Sequence, residues 1–368
     1  MRRTRRCLAA LGAACLVAAC QGTDRTADTP TPARDAAEPA AAGTPGWVEP
    51  LTAEIERIDA DMPGDFGVLV RRLGEDGGEI DHGDGRAWYL SSTIKIPVAI
   101  AVLERVDAGE LDLDQELVLA ESDFVDGAGD MLYQEPGTRF SIGTLIEKSL
   151  RDSDSTATDM LIRLVGEDHL NRRIRAWAGR GFGPVTTLLQ VRYDAYGPLH
   201  PGVAALSNTQ IVALRNAEAG EARLAALARA LGVPRGELDA PDLETVFERY
   251  YETGRNAATL DAFADMLETL ATGELLSEES TALVLDHMQA ITTGDRRIQA
   301  GLPSGADFAQ KTGTQIARAC NVGVLGPGSG APTVVVACAE RFDDLEQAER
   351  AFARLGRALA EAGLADGR

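Results

Sequence analysis

Residues 91–103 have the sequence SSTIKIPVAIAVL, and this stretch says most about the fold and chemistry of the chain. The apolar run after Lys95 predicts a buried helix, which argues against a simply solvated lysine. Three residues apart on a helix, Ser92 and Lys95 share a face. A serine nucleophile needs a base within reach, and a lysine whose pKa is lowered by desolvation can serve. Such a pair is common, so a helix start with a solvated lysine is the alternative, and Pro97 is awkward in a regular helix.

A second motif, Ser153-Asp154-Ser155, precedes the helical stretch 156–165. Ser153 could relay a proton to a leaving group, and Ser155 could hydrogen-bond a substrate carbonyl. Taken alone, the motif is more simply explained as a helix cap, since Ser and Asp often cap helices.

A third motif, Lys311-Thr312-Gly313-Thr314, ends a predicted strand. Glycine there permits close approach of a ligand to the strand edge, and Lys311 supplies positive charge for a carboxylate. Thr314 could donate its backbone N–H to an oxyanion, alongside the N–H of Ser92. The alternative is a strand end with a solvated lysine.

Around these motifs the pattern predicts strands near both ends of the chain and helices between them. We predict an antiparallel sheet built from both chain ends and flanked by helices, with a largely helical subdomain inserted in the middle. The predicted elements are an opening helix (51–60), a strand hairpin (66–70 and 79–82), three later strands (308–314, 321–325 and 333–338) and a final helix (345–362).

The three motifs in this order resemble the signature of the penicillin-recognising serine enzymes, and the chain is most similar to class A beta-lactamases over roughly residues 50–365. The resemblance implies an α/β sandwich with an all-helical subdomain and a cleft between the two. It implies Ser92 as the acylated nucleophile, Lys95 as base or proton shuttle and Ser153 as proton relay. Lys311 and Thr312 would bind the substrate carboxylate, beside Gly313, and Ser92 and Thr314 would form the oxyanion hole.

The chain departs from the family pattern in two places. Ser155 stands where the family usually has asparagine, which puts the carbonyl contact in doubt. The family's deacylating glutamate has no counterpart either, because Arg192 falls near its position and an insert of about residues 197–254 follows. The insert is predicted to be partly helical, over Glu221 to Leu231 and Leu243 to Tyr251. Candidate replacements are Asp194, Glu244 and Glu248.

Two further residues are candidates for the cleft. Arg318 is the nearest counterpart of a carboxylate-binding arginine, about one residue out of register. Tyr133 is a candidate for the cleft mouth and substrate binding, with a packed surface aromatic as the alternative.

The amino terminus predicts export. Basic residues precede an apolar run from Leu8 to Ala19, and Cys20 follows where a lipoprotein cysteine is acylated. We expect a signal peptide over 1–20, a disordered linker over 21–46 and a catalytic domain over 47–368. The anchored protein would face the periplasm, with Gln21 favouring the outer membrane; a plain cleaved signal peptide is the alternative.

Composition narrows the remaining classes. The net charge of −21 opposes binding to nucleic acid, since phosphate repels it, and four scattered histidines have no metal-ligand spacing, so we expect no metal or other cofactor. We expect a monomer. Cys320 and Cys338 flank a predicted hairpin turn nearly opposite each other, so a disulfide is a candidate, with two free buried thiols as the alternative.

The sequence leaves three functions open. The first is hydrolysis of a beta-lactam through an ester on Ser92, and the second is a similar enzyme acting on peptidoglycan peptides, or on another small amide or ester, with slow lactam turnover. The third is a non-catalytic lipoprotein that binds cell wall or a protein partner. Retention of the three motifs argues against the third. The missing glutamate favours the second, and overall resemblance favours the first.

Overall fold

The computed structural model describes residues 44–365, apart from Asp76 and Asp84. The predicted leader, its Cys20 anchor and residues 21–43 of the predicted linker lie outside the described residues and stay predictions. From residue 44 onward the chain groups into one unit. No helix among the described residues has the length and apolar character needed to cross a bilayer.

Helices occupy most of the middle of the chain. They are α1 (Val48–Asp61), α2 (Lys95–Asp107), α3 (Ile142–Leu150), α4 (Ser155–Val165), α5 (Glu167–Ala178), α6 (Leu188–Tyr196), α7 (Asn208–Ala213), α8 (Glu221–Leu231), α9 (Leu243–Tyr251), α10 (Leu260–Ala271), α11 (Glu278–Gln289), α12 (Ile298–Gly301) and α13 (Leu345–Glu361). The strands are β1 (Asp65–Arg72), β2 (Gly78–His82), β3 (Trp88–Tyr89), β4 (Glu116–Val118), β5 (Arg139–Ser141), β6 (Ala257–Ala258), β7 (Phe308–Gln315), β8 (Arg318–Leu325) and β9 (Thr333–Glu340).

The main sheet confirms the prediction that both chain ends build it. Its five strands run in the order β2-β1-β9-β8-β7, and every neighbouring pair is antiparallel. Strand β7, which carries the third motif, is therefore an edge strand. An edge strand has backbone groups that no neighbouring strand pairs, so β7 can present N–H groups to a ligand.

Side-chain alternation along the strands divides the core between the two faces of the sheet. Val335 and Ala337 of β9 pack in one apolar cluster with residues of α1 and α13. Val334 and Val336 pack in the other with residues of α2 and α10. The sheet therefore lies between two layers of helices.

Helix α2 runs through the centre of the second layer. Its residues from Lys95 to Leu103 are all buried, as the uninterrupted apolar run predicts. Pro97 lies in the first turn of α2, where a missing backbone N–H costs no intrahelical bond. The proline that seemed awkward in the sequence is therefore well placed.

The insert folds into short helices with an apolar cluster of its own. Helices α8 and α9 have the bounds that the sequence predicts, and Leu227 and Phe247 are buried there. The same cluster includes Val191 of α6 and Tyr89 of β3. The insert is thus packed against the elements that carry the site.

The predicted disulfide between Cys320 and Cys338 is confirmed. The two residues are direct partners in the register of β8 and β9, and their sulfur atoms are bonded. Both cysteines are buried. The bridge links the inner strands β8 and β9, and β8 is the neighbour of the edge strand β7.

Candidate active site

Ser92 lies in a short 3₁₀ turn, Ser91–Ile94, that leads directly into α2. The preceding Ser91 has φ +48°, a left-handed conformation that is rare for a residue with a side chain and is concentrated at functional sites. The backbone N–H of Lys95 donates to the carbonyl of Ser92. Ser92 is only partly buried and lines a cleft of about 400 Å³.

Lys95 is fully buried behind this cleft, and its ammonium lies among serine oxygens. Nζ donates to the carbonyl oxygen of Ser153, to Ser153 Oγ at 3.2 Å and to Ser155 Oγ at 3.4 Å. Burial lowers the pKa of Lys95 from 10.5 to about 7, although the charges of Asp154 and Asp159 act in the opposite direction. Near neutral pH a large fraction of Lys95 is an uncharged amine, the form that can accept a proton.

The second motif is both a helix cap and part of the cleft. Asp154 caps α4 by accepting a hydrogen bond from the N–H of Ala157 at 2.8 Å, so the capping explanation is correct for this residue. Its neighbours Ser153 and Ser155 line the cleft. Ser153 has φ +56°, a second left-handed residue at this site.

Ser153 connects the two buried lysines. Its Oγ accepts from Lys311 Nζ at 2.9 Å and from Lys95 Nζ at 3.2 Å. A hydroxyl between two amines can receive a proton from one side while donating on the other. The predicted role of Ser153 as a proton relay is therefore chemically possible in this arrangement.

Lys311 is fully buried and lacks a nearby carboxylate partner among the described residues. Its pKa is lowered well below 10.5 because of burial and because Lys95 and Arg297 repel its positive charge. A carboxylate bound beside it would supply the missing opposite charge. This electrostatic imbalance fits a site that binds an anionic substrate group.

Gly313 and Thr314 bring the edge strand against the nucleophile. A Cβ added at Gly313 would lie 2.9 Å from the backbone nitrogen of Ser92 and 2.5 Å from the carbonyl oxygen of Leu90. Only glycine allows β7 to approach so closely. Ser92, Thr312 and Thr314 all line the cleft, so the predicted oxyanion donors lie on the same cavity.

Arg297 is a cleft residue that the sequence analysis missed. Its Nη1 donates to the carbonyl oxygens of Gly313 and Cys320, both at 2.8 Å, and its Nη2 donates to Thr314 Oγ1. Burial lowers its pKa to about 10. Local sequence carries no signal for this placement, because Arg297 precedes α12 and meets β7 only through the fold.

Arg318 was the wrong candidate for this position. It lies opposite Glu340 in the strand register, and its guanidinium pairs with Glu248 of the insert at 2.7 Å and stacks on Tyr251 at 4.4 Å. Arg318 therefore points toward the insert and does not line the cleft. Arg297 supplies the cationic group there instead.

The predicted replacements for the family glutamate do not line the cleft. Asp194 pairs with Arg255 at 2.8 Å, Glu248 pairs with Arg318, and Glu244 is exposed in the first turn of α9. Arg192 does line it, and its Nε donates to Asp126 Oδ1 at 2.6 Å. The carboxylates in the lining are thus Asp126 and Glu349.

Tyr133 does not form the cleft mouth as expected. Its ring is 70% exposed, and its hydroxyl accepts from Arg215 of the insert at 2.6 Å. The wall at this place consists of Asp126, Gly127 and Ala128. A short 3₁₀ turn, Met131–Tyr133, places Tyr133 on the outer surface, so the alternative of a surface aromatic was correct.

Comparison with known proteins shows the family to which the chain belongs. A model of the beta-lactamase enzyme family matches residues 50–362. A beta-lactamase of Mycobacterium tuberculosis is 27% identical over 291 residues, which are 78% of this chain and 76% of that protein.

Solved structures of beta-lactamases and of a related protein have the same fold as this chain. The beta-lactamase of Sphaerobacter thermophilus superposes with a TM-score of 0.63 at 24% identity, covering 86% of this chain and 97% of that one. A mutant of PBP-A, solved as an acyl-enzyme complex with penicillin G, superposes with a TM-score of 0.62 at 20% identity, covering 85% and 96%. The fold is thus the beta-lactamase fold predicted from the motifs, and the chain belongs to the beta-lactamase enzyme family.

Proposed function

We propose that this protein is a serine hydrolase that opens the amide bond of beta-lactams through an ester on Ser92, with hydrolysis of that ester as the slow step. The observation that carries the proposal is the chain Lys95–Ser153–Lys311, buried behind the cleft that Ser92 lines. A base of lowered pKa next to a nucleophile is the arrangement that acyl transfer requires.

The acylation step follows from these positions. Neutral Lys95 takes the proton of the Ser92 hydroxyl, and Oγ attacks the lactam carbonyl carbon. The N–H groups of Ser92 and Thr314 stabilise the oxyanion. The C–N bond then breaks, the leaving nitrogen receives a proton through the Ser153 hydroxyl, and the acyl group remains as an ester on Ser92.

Binding of substrate depends on the cations at one end of the cleft. Arg297 gives this end positive charge, and Thr312 and Thr314 add hydroxyl groups. Lys311 is buried beside it with a lowered pKa, and a bound carboxylate would favour its charged form. A beta-lactam carries a carboxylate beside the bond that breaks. Placing that carboxylate near Lys311 directs the carbonyl toward Ser92.

Release of the acyl group is where the chain lacks an evident catalyst. Attack of water on the ester requires a base, and Arg192 lies near the position that a glutamate has in the family. A guanidinium stays protonated and cannot act as a base. The acyl-enzyme is therefore expected to persist longer than in an efficient lactamase.

A second candidate function is a peptidase acting on D-alanyl-D-alanine peptides of the cell wall, with little lactam turnover. The specific observation in its favour is the same ion pair of Arg192 with Asp126, which occupies the cleft in place of a free carboxylate. The acylation chemistry is identical. Only the natural acyl donor and the rate of release differ.

The test is a time course of intact mass after mixing the purified protein with benzylpenicillin, with nitrocefin absorbance followed in parallel. Lactam hydrolysis predicts an adduct on Ser92 that decays while nitrocefin is consumed. A persistent adduct with little colour change would favour the peptidase. Ser92→Ala should abolish labelling, whereas Ser329→Ala in a remote turn should not. Labelling that survives Ser92→Ala would refute the assignment of the nucleophile.

A further inference from the structure

One wall of the cleft contains an ion pair that the proposed acylation does not use. Asp126 and Arg192 are joined at 2.6 Å, and each side chain is only 15% exposed. Both line the cleft, together with Ser155 and the apolar residues Leu188 and Val191. Ser155, which is predicted to hydrogen-bond a substrate carbonyl, belongs to this wall. Because Lys311 and Arg297 are assigned to the carboxylate of the leaving group, the wall is assigned to the acyl part of a substrate.

The pair is held in place from two sides. The guanidinium of Arg192 lies 5.9 Å from the ring centroid of Phe247, a residue of the insert. Asp126 precedes Gly127, whose φ of +145° brings this loop close to Ser155. A Cβ at Gly127 would lie 2.3 Å from Ser155 Oγ. The charges therefore occupy fixed positions next to Ser155, which is predicted to hydrogen-bond a substrate carbonyl.

The pair also has unused hydrogen-bonding capacity. Of the polar side-chain atoms of this pair, only Nε of Arg192 and Oδ1 of Asp126 form a hydrogen bond with another described residue, and they form it with each other. Neither Nη group of Arg192 nor Oδ2 of Asp126 forms such a bond. A neutral acyl chain placed on this wall would remove water from both charges and give nothing in exchange.

We infer that the acyl side of the cleft recognises a side chain ending in an amino-acid head group, with an ammonium and a carboxylate on one carbon. The carboxylate of the ligand would accept from the Nη groups of Arg192, and its ammonium would donate to Oδ2 of Asp126. A purely anionic group would meet repulsion from Asp126. Charge-assisted hydrogen bonds of this kind are stronger than neutral ones and give the wall its selectivity.

The inference rests on the proposed acylation of Ser92, and two cephalosporins test it. Cephalosporin C and cephalothin share the nucleus and the acetoxymethyl group, but the first ends in a D-amino-acid head group and the second in a thiophene. The second-order rate constant for labelling Ser92 is expected to be at least about tenfold larger for cephalosporin C. The adipyl analogue, which lacks only the ammonium, should react at a rate close to that of cephalothin.

A double variant removes the pair without changing its shape much. Asp126→Asn with Arg192→Gln should abolish the preference for cephalosporin C, because it removes the charged partners of the head group and also the desolvation cost that cephalothin meets at the pair. The matched control is Glu221→Gln with Arg235→Gln, an ion pair of the insert that does not line the cleft. The control should keep the preference.

Equal rates for the two cephalosporins, a preference that survives the double variant, or an adipyl analogue as reactive as cephalosporin C would each overturn the inference. Absence of labelling by both compounds would instead refute the proposed function. In that event the dissociation constants of both compounds for Ser92→Ala, measured by calorimetry, decide the inference. Tighter binding of cephalosporin C supports it, and equal binding overturns it.

Discussion

The acylation rate should vary with pH as the protonation state of the buried Lys95 changes. If Lys95 is the base, only its neutral form can take the proton from Ser92. Burial lowers its pKa from 10.5 to about 7. The neutral fraction is then about 1% at pH 5 and about 90% at pH 8, so the acylation rate should rise with a midpoint near pH 7.

Substitution of Asp159 tests whether the pKa of Lys95 sets this midpoint. Its carboxylate is fully buried, accepts from the N–H groups of Leu188 at 2.6 Å and Leu189 at 2.9 Å, and raises the pKa of Lys95 by its charge. Asp159→Asn keeps the size of the side chain and removes the charge. The midpoint should therefore move to lower pH. Burial raises the pKa of Asp159 itself to about 6, so its charge acts fully only above that pH.

The assay is acid-quenched intact mass after mixing with benzylpenicillin between pH 5 and pH 9. Asp107→Asn is the matched control, because Asp107 also accepts from a backbone N–H, that of Ser277 at 2.8 Å, but does not line the cleft. It should leave the midpoint unchanged. A rate that is flat over this range would refute Lys95 as the base. A rate that is still rising without a plateau at pH 9 would refute the lowered pKa of Lys95.

Three further results are expected. Arg192→Glu combined with Asp126→Asn places a carboxylate near the family's glutamate position without a like charge beside it. This double variant should shorten the half-life of the penicilloyl adduct, measured by intact mass, at least about tenfold. An unchanged half-life would contradict the account of slow release. Gly313→Ala should reduce the acylation rate at least about tenfold, because its Cβ would lie 2.5 Å from a carbonyl oxygen, whereas Gly236→Ala has open space and should not; equal effects would contradict the close approach. Replacing both disulfide cysteines by alanine should lower the free energy of unfolding by about 3 kcal/mol in urea titration, since the bridge closes a loop of 18 residues.

Much of the fold could be predicted because its signals are local. The apolar run after Lys95 predicted a buried helix, and the bounds of α8 and α9 followed from their helical periodicity. The two cysteines could be paired by counting outward from one turn. In each case the deciding residues are close together in the sequence, so pattern and propensity act directly on them.

The catalytic motifs were also found in the sequence, but their electrostatics were not. The lowered pKa values of Lys95 and Lys311 arise from burial and from charges that other elements bring near. The two lysines are far apart in the chain and meet through Ser153. No pattern within one segment contains that information.

The main strands, the sheet built from both chain ends and the order of the three motifs could be predicted from the sequence. Only the tertiary structure decided that Arg297 lines the cleft while Arg318 and Tyr133 turn to the insert, and that Arg192 pairs with Asp126. The difference comes from how far apart in the sequence the interacting residues are. Helix and strand periodicity depend on neighbours a few residues away, whereas the direction of a long charged side chain depends on which opposite charge the fold places beside it.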